Sequence, residues 1–228
     1  MSNTKIMPNM KKARHKEDLS ITGFMAEWYD KNTRKSRLAK MNKYAYLIGR
    51  VLAKDGKVLE VAPGPEYLSI ELAKRGFAVT CVELSENFMG IEKQNAAESG
   101  VSVDFLQGNA ADLPLPDNEF DFIICSAAFK NFMKPLKAMT EIYRVLKIGA
   151  TALILDMNHD ITKADIENEM SKTNMKGFDR WFVKLSFKTF LWSGAYTKSG
   201  FEELIAQTRF TRHEIKKGGI GFQVWLWK

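Results

Sequence analysis

The feature that most constrains the fold of this chain is an alternation of apolar and amphipathic segments between residues 58 and 156. The apolar segments have the length and near-continuous hydrophobicity of buried strands, and the segments between them repeat apolar residues at helical spacing. Strands fit at Val58–Ala62, Ala78–Val82, Val103–Leu106, Phe120–Cys125 and Ala150–Asp156, and helices fit at Tyr67–Lys74, Asn87–Ser99 and Leu136–Leu146. This alternation is typical of a parallel sheet covered by helices on both faces.

Both ends of the chain depart from the alternation. Near the C-terminus, a helix over Thr197–Thr208 is followed by two short strands that flank a Gly-Gly turn, which predicts an antiparallel hairpin. Near the N-terminus, apolar residues at helical spacing predict helices over 19–29 and 38–52. We therefore expect an α/β, Rossmann-like, doubly wound and mostly parallel seven-stranded sheet with a C-terminal antiparallel hairpin and an N-terminal helical cap.

The chain has 228 residues, a length that suits one domain with a sizeable core. Residues 1–17 are polar, basic and without periodicity, so we expect a disordered basic tail there. The remaining residues, 18–228, are predicted to form a single domain. Within it, residues 18–54 would form the helical cap, and residues 161–196 a helical insert rich in aromatic side chains.

The positive charge of the chain is concentrated near its start. Of 34 Lys and Arg residues, 12 fall within residues 1–50, against 4 of the 27 Asp and Glu residues. The rest of the chain therefore carries 22 basic and 23 acidic residues and is almost neutral. Such a basic segment is either a solvated surface or a surface that attracts an anionic substrate, a nucleic acid or a membrane.

Other features narrow the class of protein. No apolar run approaches the roughly 20 residues of a membrane span, and the start lacks the apolar segment of a secretory signal, so a cytoplasmic location is expected. Cys81 and Cys125 lie inside predicted strands, where a cysteine is usually a small buried apolar residue. No His/Cys cluster has the spacing of a metal site, so none is expected.

Residues that can bind a ligand follow the predicted strands. The stretch "VLEVAPGPEYLSIELAKRG" reads as strand, glycine turn and helix, and Gly64 would let a ligand approach the backbone closely. Glu83 ends the second strand and can accept hydrogen bonds from the hydroxyls of a ribose. Asn109 follows the third strand and can offer its amide to an adenine edge. In a doubly wound sheet these strand ends meet at one edge, where ligands bind.

This set of motifs resembles that of the class I S-adenosylmethionine-dependent methyltransferases, from about Val58 to Leu155 and again in the final hairpin. "VLEVAPGP" is similar to the glycine-rich first motif of that family, "VELSENFM" to its acidic second motif, and "GNAADLPLPDNEFDFIICSAAFKNF" to its third and fourth motifs. "EIYRVLKIGATALILD" resembles the helix and strand that follow. "AEWYDK" is similar to an aromatic motif that packs over the cofactor in relatives.

The resemblance implies S-adenosylmethionine as cofactor and methyl transfer to a small, partly apolar or planar acceptor, with no stable nucleic-acid complex; it leaves the oligomeric state open. His159 would be the best-placed general base, and Lys130 could hold an anionic acceptor. The insert 161–196 would form part of the acceptor pocket. The implied cofactor-binding residues are Tyr29, Glu60, Ala62, Pro63, Gly64, Glu83, Leu84, Asn109, Ala110 and Ser126.

The sequence also departs from the pattern of the family. Ala62 and Glu66 replace two of its glycines, and Asn109 replaces an acidic residue. Because Pro65 suits the first position of a helix, we expect Glu66 in the first helical turn, where a carboxylate stabilises the positive helix end. Lys130 and Asn131 stand where many relatives that act on small molecules carry histidines.

Two alternative functions stay open at this point. The basic segment could serve a nucleic-acid methyltransferase, although the fourth strand is followed by "SAAFKNF" rather than by a base-methylating motif. The chain could also be a cofactor-binding protein that has lost turnover. A nicotinamide dehydrogenase is disfavoured, because its fingerprint requires glycines at 62, 64 and 67, and only Gly64 is present.

Overall fold

A computed structural model describes residues 38–64, 67–171 and 194–228 of the chain. Tyr29, Pro65 and Glu66 lie outside these residues, as do the predicted basic tail and most of the N-terminal cap. The aromatic residues of the insert between Phe178 and Trp192 also lie outside them.

The described residues contain a seven-stranded sheet in the order β3-β2-β1-β4-β5-β7-β6. The first five strands are mutually parallel, and β7 is antiparallel to both β5 and β6. The expected doubly wound sheet with a C-terminal antiparallel hairpin is therefore confirmed. The strands are β1 Lys57–Val61, β2 Ala78–Glu83, β3 Asp104–Gln107, β4 Phe120–Ser126, β5 Leu146–Met157, β6 Arg212–Gly218 and β7 Gly221–Trp227.

The helices are α1 over 38–49, α2 Leu68–Ala73, α3 Glu86–Glu98, α4 Pro135–Val145, α5 Lys163–Ser171 and α6 Lys198–Ile205, with a 3₁₀ turn at Phe129–Asn131. Local sequence explains several of their starts. The Ser85 hydroxyl accepts a hydrogen bond from the N–H of Phe88 and caps α3, and the Thr197 hydroxyl caps α6 in the same way. α4 begins with Pro135, whose fixed φ suits the first helical position.

The core has two halves, one on each face of the sheet. On one face the sheet packs against α4 and α6, through residues such as Met139, Ile142 and Phe201. On the other it packs against α1 and α2, through residues such as Ile48 and Leu72. Burial of both faces explains why the central strands are almost continuously apolar, since each successive side chain enters one half of the core.

The structure corrects the predicted boundaries at the C-terminal end of the sheet. Strand β5 starts at Leu146, four residues before the predicted start, and its register with β4 shifts between Phe120 and Phe122. The hairpin turn is Gly219–Ile220, one residue later than the Gly-Gly pair, because Gly218 pairs with Gly221. Gly219 has a φ of +59°, which glycine adopts without a steric penalty.

The final residue ties the hairpin to α4. The Lys228 ammonium group donates hydrogen bonds to the carbonyl oxygens of Tyr143 and Leu146, each at 2.7 Å, and to Asn118 Oδ1 at 2.8 Å. Carbonyl groups in the last turn of a helix lack partners within the helix, and a cation there also suits the helix dipole. Lys228 therefore stabilises the junction between α4 and β5.

Two further observations concern the described residues as a whole. None of their helices has both the length and the apolar character that crossing a membrane requires. Cys81 and Cys125 are both buried and free, in keeping with their interpretation as small apolar residues, and burial raises the pKa of both thiols well above its usual range.

Candidate active site

The candidate site begins where the sheet changes direction. β1 and β4 are neighbours at the centre of the sheet; the chain leaves β1 towards β2, and it leaves β4 towards β5. Ala62 and Ala127 directly follow these two strands, and both have positive φ values, 52° and 57°. Each donates its N–H to the next strand, Ala62 to Val82 and Ala127 to Leu155. The two turns therefore diverge, and in a doubly wound sheet the ligand cleft is expected between such turns, at the carboxyl ends of the strands.

Gly64 forms the floor of this cleft on the β1 side. Its φ is +58°, and a Cβ atom added there would meet no atom of the described residues within 4 Å. Pro63 beside it is buried. Ala62 adopts a left-handed conformation that favours glycine, which gives a physical reason for the glycine of the family at this position. Among the described residues, the loop thus leaves open space beside the backbone of Gly64.

Glu83 connects the first turn to the end of β2. One carboxylate oxygen accepts the N–H of Gly64 at 3.3 Å, and the other accepts the N–H of Ser85 at 2.9 Å. Glu83 is buried, whereas the next residue, Leu84, is 63% exposed. The buried carboxylate of Glu83 can bind the hydroxyls of a ribose, and the exposed side chain of Leu84 can cover the face of a base.

Asn109 lies in a turn after β3, and its amide oxygen is already in use. It accepts the N–H of Ala111 at 2.9 Å, and the backbone of Asn109 pairs with that of Asp112. The oxygen keeps a second lone pair and the amide keeps its NH₂ group, so Asn109 can still approach a base edge. Ala110, which follows it, is half-buried.

The opposite wall of the cleft is formed by the residues that follow β4 and β5. Ser126 ends β4 and is buried. Asp156 is the second-last residue of β5, and its carboxylate accepts the N–H groups of Lys130 and Met157, both at 2.7 Å. Burial raises the pKa of Asp156, and these two hydrogen bonds oppose the rise. Asp156 therefore fixes the 3₁₀ turn after β4 against the end of β5.

The two candidate catalytic residues lie on this wall. His159 is exposed, and its ring atom Nδ1 lies 3.2 Å from Asp160 Oδ1. The backbone N–H of His159 donates a hydrogen bond to the carbonyl oxygen of Tyr196 at 2.9 Å. Lys130 is half-buried, and its ammonium group donates to Asn131 at 3.1 Å. The structure places both residues at the carboxyl edge of the sheet, and their roles in catalysis stay predictions.

An aromatic cluster packs behind the same side, and its central rings, Phe129 and Phe201, are fully buried. Phe129 contacts Phe132, Tyr196 and Phe201, with ring centroids 5.3–5.8 Å apart. Tyr196 and Phe201 lie 4.7 Å apart. Burial, with the negative charge of Asp156, raises the pKa of Tyr196 above its ordinary value, so the phenol keeps its proton at neutral pH.

Three residues near the cleft were missed in the prediction of the site: Asp156, Tyr196 and Glu92, which is buried on α3. An acidic residue at the end of an apolar strand was a usable signal for Asp156. No signal was available for Tyr196, because it reaches the 3₁₀ turn from a distant part of the chain. Gly194 shows how close that approach is, since a Cβ atom there would lie 2.7 Å from the carbonyl oxygen of Lys130.

Other predicted features lie outside the described residues or differ in detail. Tyr29 and Glu66 are outside them, as is Pro65. The described part of α2 begins at Leu68 with Tyr67 as its N-cap, one residue later than predicted. Among the residues that the structure describes, no group of three His, Cys, Asp or Glu side chains is arranged to hold a metal ion.

Comparisons with known proteins identify this arrangement. Residues 59–154 match the family model described as "Methyltransferase domain". The chain is similar to demethylmenaquinone methyltransferase of Listeria monocytogenes serotype 4a (strain HCC23), with 30% identity over 146 residues that cover 61% of each protein. It is also similar to YqeM of Bacillus subtilis (strain 168), assigned as a methyltransferase, with 27% identity over 203 residues, 82% of this chain and 81% of that protein.

A solved structure shows the same fold. The chain is similar to a Methanococcus maripaludis protein assigned as an S-adenosylmethionine-dependent methyltransferase, with a TM-score of 0.71 and 22% identity over 95% of this chain and 97% of the other. The matched region spans about 61% of the length of the demethylmenaquinone methyltransferase. The chain therefore has the fold of a solved S-adenosylmethionine-dependent methyltransferase, and its residues 59–154 are similar to a methyltransferase domain.

Proposed function

We propose that this protein transfers the methyl group of S-adenosylmethionine to a small, partly apolar or planar acceptor. The observation that carries the proposal is the cleft between the turns after β1 and β4, where Gly64 leaves open space beside the buried carboxylate of Glu83. A ligand with a ribose and a charged amino-acid end needs this combination of backbone access and acidic groups.

The described residues fit this cofactor. Glu83 would hold the ribose hydroxyls, and the exposed side chain of Leu84 would cover one face of the adenine. Asn109 and Ala110 would meet the edge of the base. Gly64 would admit the amino-acid end of the cofactor close to the backbone. Glu60, fully buried at the end of β1, would offset the positive charge of its amino group, directly or through water.

The bound sulfonium would supply a methyl group that is already activated towards a nucleophile. The main task of the protein would then be to hold the acceptor in line with that group and to exclude water. Asp156 would keep the 3₁₀ turn in place, and the half-buried rings of Phe132 and Tyr196 would form the apolar wall. His159 would act as a general base for an acceptor that must lose a proton, and Lys130 would hold an anionic acceptor.

The class of acceptor is suggested by two independent observations. On the β4 side, the half-buried rings of Phe132 and Tyr196 pack on the buried Phe129, and they would suit a planar apolar ring. The name of the Listeria relative, demethylmenaquinone methyltransferase, indicates a quinone acceptor for that protein. We therefore propose a quinone-like ring as the first acceptor to test.

The cofactor assignment makes a direct prediction for Glu83. Glu83→Ala removes the carboxylate that accepts the N–H groups of Gly64 and Ser85 and that would bind the ribose. We expect the affinity for S-adenosylmethionine to fall by about 1.5–3 kcal/mol, the usual worth of hydrogen bonds to a charged group. Titration calorimetry would measure this loss. Equal affinity in the variant and the parent would show that the ribose lies elsewhere.

The proposed reaction is tested by a transfer assay with isotope-labelled S-adenosylmethionine. The acceptors are a reduced demethylmenaquinone analogue with a short side chain and an RNA oligonucleotide at physiological salt. We expect label in the quinone product and none in the RNA. Labelled RNA would favour the nucleic-acid alternative. Cofactor binding without transfer of label to either acceptor would contradict the quinone proposal. If a wider set of acceptors also stayed unlabelled, that result would favour a cofactor-binding protein without turnover.

A further inference from the structure

Three side chains share one face of the sheet beneath the cofactor cleft. Leu59 and Val61 of β1 enter the core half formed with α4 and α6, so the alternation of side chains places Glu60 on the other face. Glu60 pairs with Cys81 in the parallel register of β1 and β2, and Glu83 lies two residues further along β2, on the same face as Cys81. The carboxylates of Glu60 and Glu83 therefore lie near each other.

A third carboxyl faces the same space from α3. Glu92 is 2% exposed, and among the described residues neither of its carboxyl oxygens has a hydrogen-bond partner. Burial, together with the negative charges of Glu60 and Glu83, raises the pKa of Glu92 to about 9. A side chain that is buried, polar and without a partner is costly, so its presence here requires a reason.

The other described groups that interact with this cluster bring no positive charge. β2 contributes the thiol of Cys81. Burial raises the pKa of this thiol, and the charges of Glu60, Glu92 and Glu83 raise it further. α2 contributes the hydroxyl of Ser69, and its one acidic residue, Glu71, is paired with Lys74 and Arg75. The described residues thus leave a buried cluster of three carboxyls next to the proposed site of a cationic ligand.

We propose that Glu92 is a third cofactor-recognition residue, which gives up its proton when the cationic sulfonium form of the cofactor binds and thereby favours S-adenosylmethionine over its demethylated product. This inference rests on the proposed function, because it requires the cofactor to occupy the cleft beside Gly64 and Glu83. The proton passes to the solvent, and no covalent bond of the cofactor changes.

The reason lies in the charges of the two ligands. S-adenosylmethionine carries a sulfonium and an ammonium group, whereas the product S-adenosylhomocysteine has an uncharged sulfur. A positive charge brought into a poorly hydrated site favours the ionised form of a nearby carboxyl. By linkage, a carboxyl that ionises on binding strengthens the binding of the cation, and an uncharged sulfur gains less from it.

The test is titration calorimetry at pH 8.0 in several buffers that differ in their ionisation enthalpy. The slope of observed heat against buffer enthalpy counts the protons released on binding. With an initial pKa of about 9, a downward shift of one unit would release about 0.4 of a proton, and a larger shift would bring the count towards one. We expect wild-type protein to release more protons with S-adenosylmethionine than with S-adenosylhomocysteine.

Two variants complete the experiment. Glu92→Gln removes the titrating group, so we expect its proton release to be the same for both ligands and lower than in wild type. Glu98→Gln changes an exposed residue of the same helix, bonded to Gln94, and should behave as wild type. The α-amino group of each ligand titrates in this pH range too, and the sulfonium lowers its pKa in S-adenosylmethionine. The protons that this group takes up on binding follow from its pKa in the free ligand, and they are subtracted from every measured count before ligands or proteins are compared.

The outcomes separate this inference from the proposed function. If wild-type protein binds neither ligand, the proposed function fails. If it binds S-adenosylmethionine but releases equal numbers of protons with both ligands, the inference about Glu92 is wrong, and equal release by wild type and Glu92→Gln would contradict it as well. Should Glu92→Gln fail to fold, the comparison of the two ligands on wild-type protein decides.

Discussion

Gly64→Val is expected to abolish cofactor binding, with a loss of at least about 100-fold, which corresponds to about 2.7 kcal/mol. Gly64 has a φ of +58°, and a Cβ atom there would have no neighbour within 4 Å among the residues that the structure describes. A branched side chain would fill the space that the cofactor needs, and it would also strain a left-handed backbone conformation. Calorimetry with S-adenosylmethionine measures the loss of binding.

A matched control separates the steric effect from the strain. Gly100, which follows α3, has a φ of +66°, and a Cβ atom there would also meet nothing within 4 Å in the described part of the chain. α3 runs opposite to the strands, so Gly100 lies at the far edge of the sheet from the cleft. Gly100→Val should therefore cost similar stability and leave cofactor affinity unchanged. If Gly64→Val bound the cofactor as well as Gly100→Val does, the cleft beside Gly64 would not be the cofactor site.

Glu92→Gln is expected to stabilise the protein at neutral and alkaline pH, by roughly 1–3 kcal/mol at pH 8. Burial raises the pKa of Glu92 from 4.5 to about 9, so the folded protein holds a proton that the unfolded chain has lost above pH 4.5. The stability of wild type should thus fall as pH rises between 4.5 and 9. Glutamine has no proton to lose, so the variant avoids this part of the decline.

Urea unfolding at several pH values measures the effect. The free energies of unfolding of wild type and Glu92→Gln should lie close together near pH 4.5 and diverge as the pH increases towards 9. Glu98→Gln, on the exposed side of α3, should follow wild type throughout. A constant difference across this range would mean that the carboxyl of Glu92 titrates normally, and it would remove the electrostatic basis of its proposed role.

The sequence by itself determined most of the fold. Apolar strands that alternate with amphipathic helices can be buried only in a sheet with two covered faces, and the final glycine turn required a hairpin. Because parallel strands all end at the same edge, the order of motifs along the chain also placed Gly64, Glu83 and Asn109 near one another. The same reasoning placed the turn of the final hairpin one residue too early, since the pairing of Gly218 with Gly221 depends on the register between strands.

Contacts between distant segments were decided only by the tertiary structure. Asp156 binds the N–H of Lys130, Tyr196 packs on Phe129, and Lys228 reaches the end of α4 from the last position in the chain. Glu92 has an ordinary helical sequence around it, and nothing there marks it as buried. Its environment arises because α3 packs against the sheet face that carries Glu60 and Glu83. Burial and charge depend on neighbours in space, whereas periodicity and turn chemistry depend on neighbours in sequence.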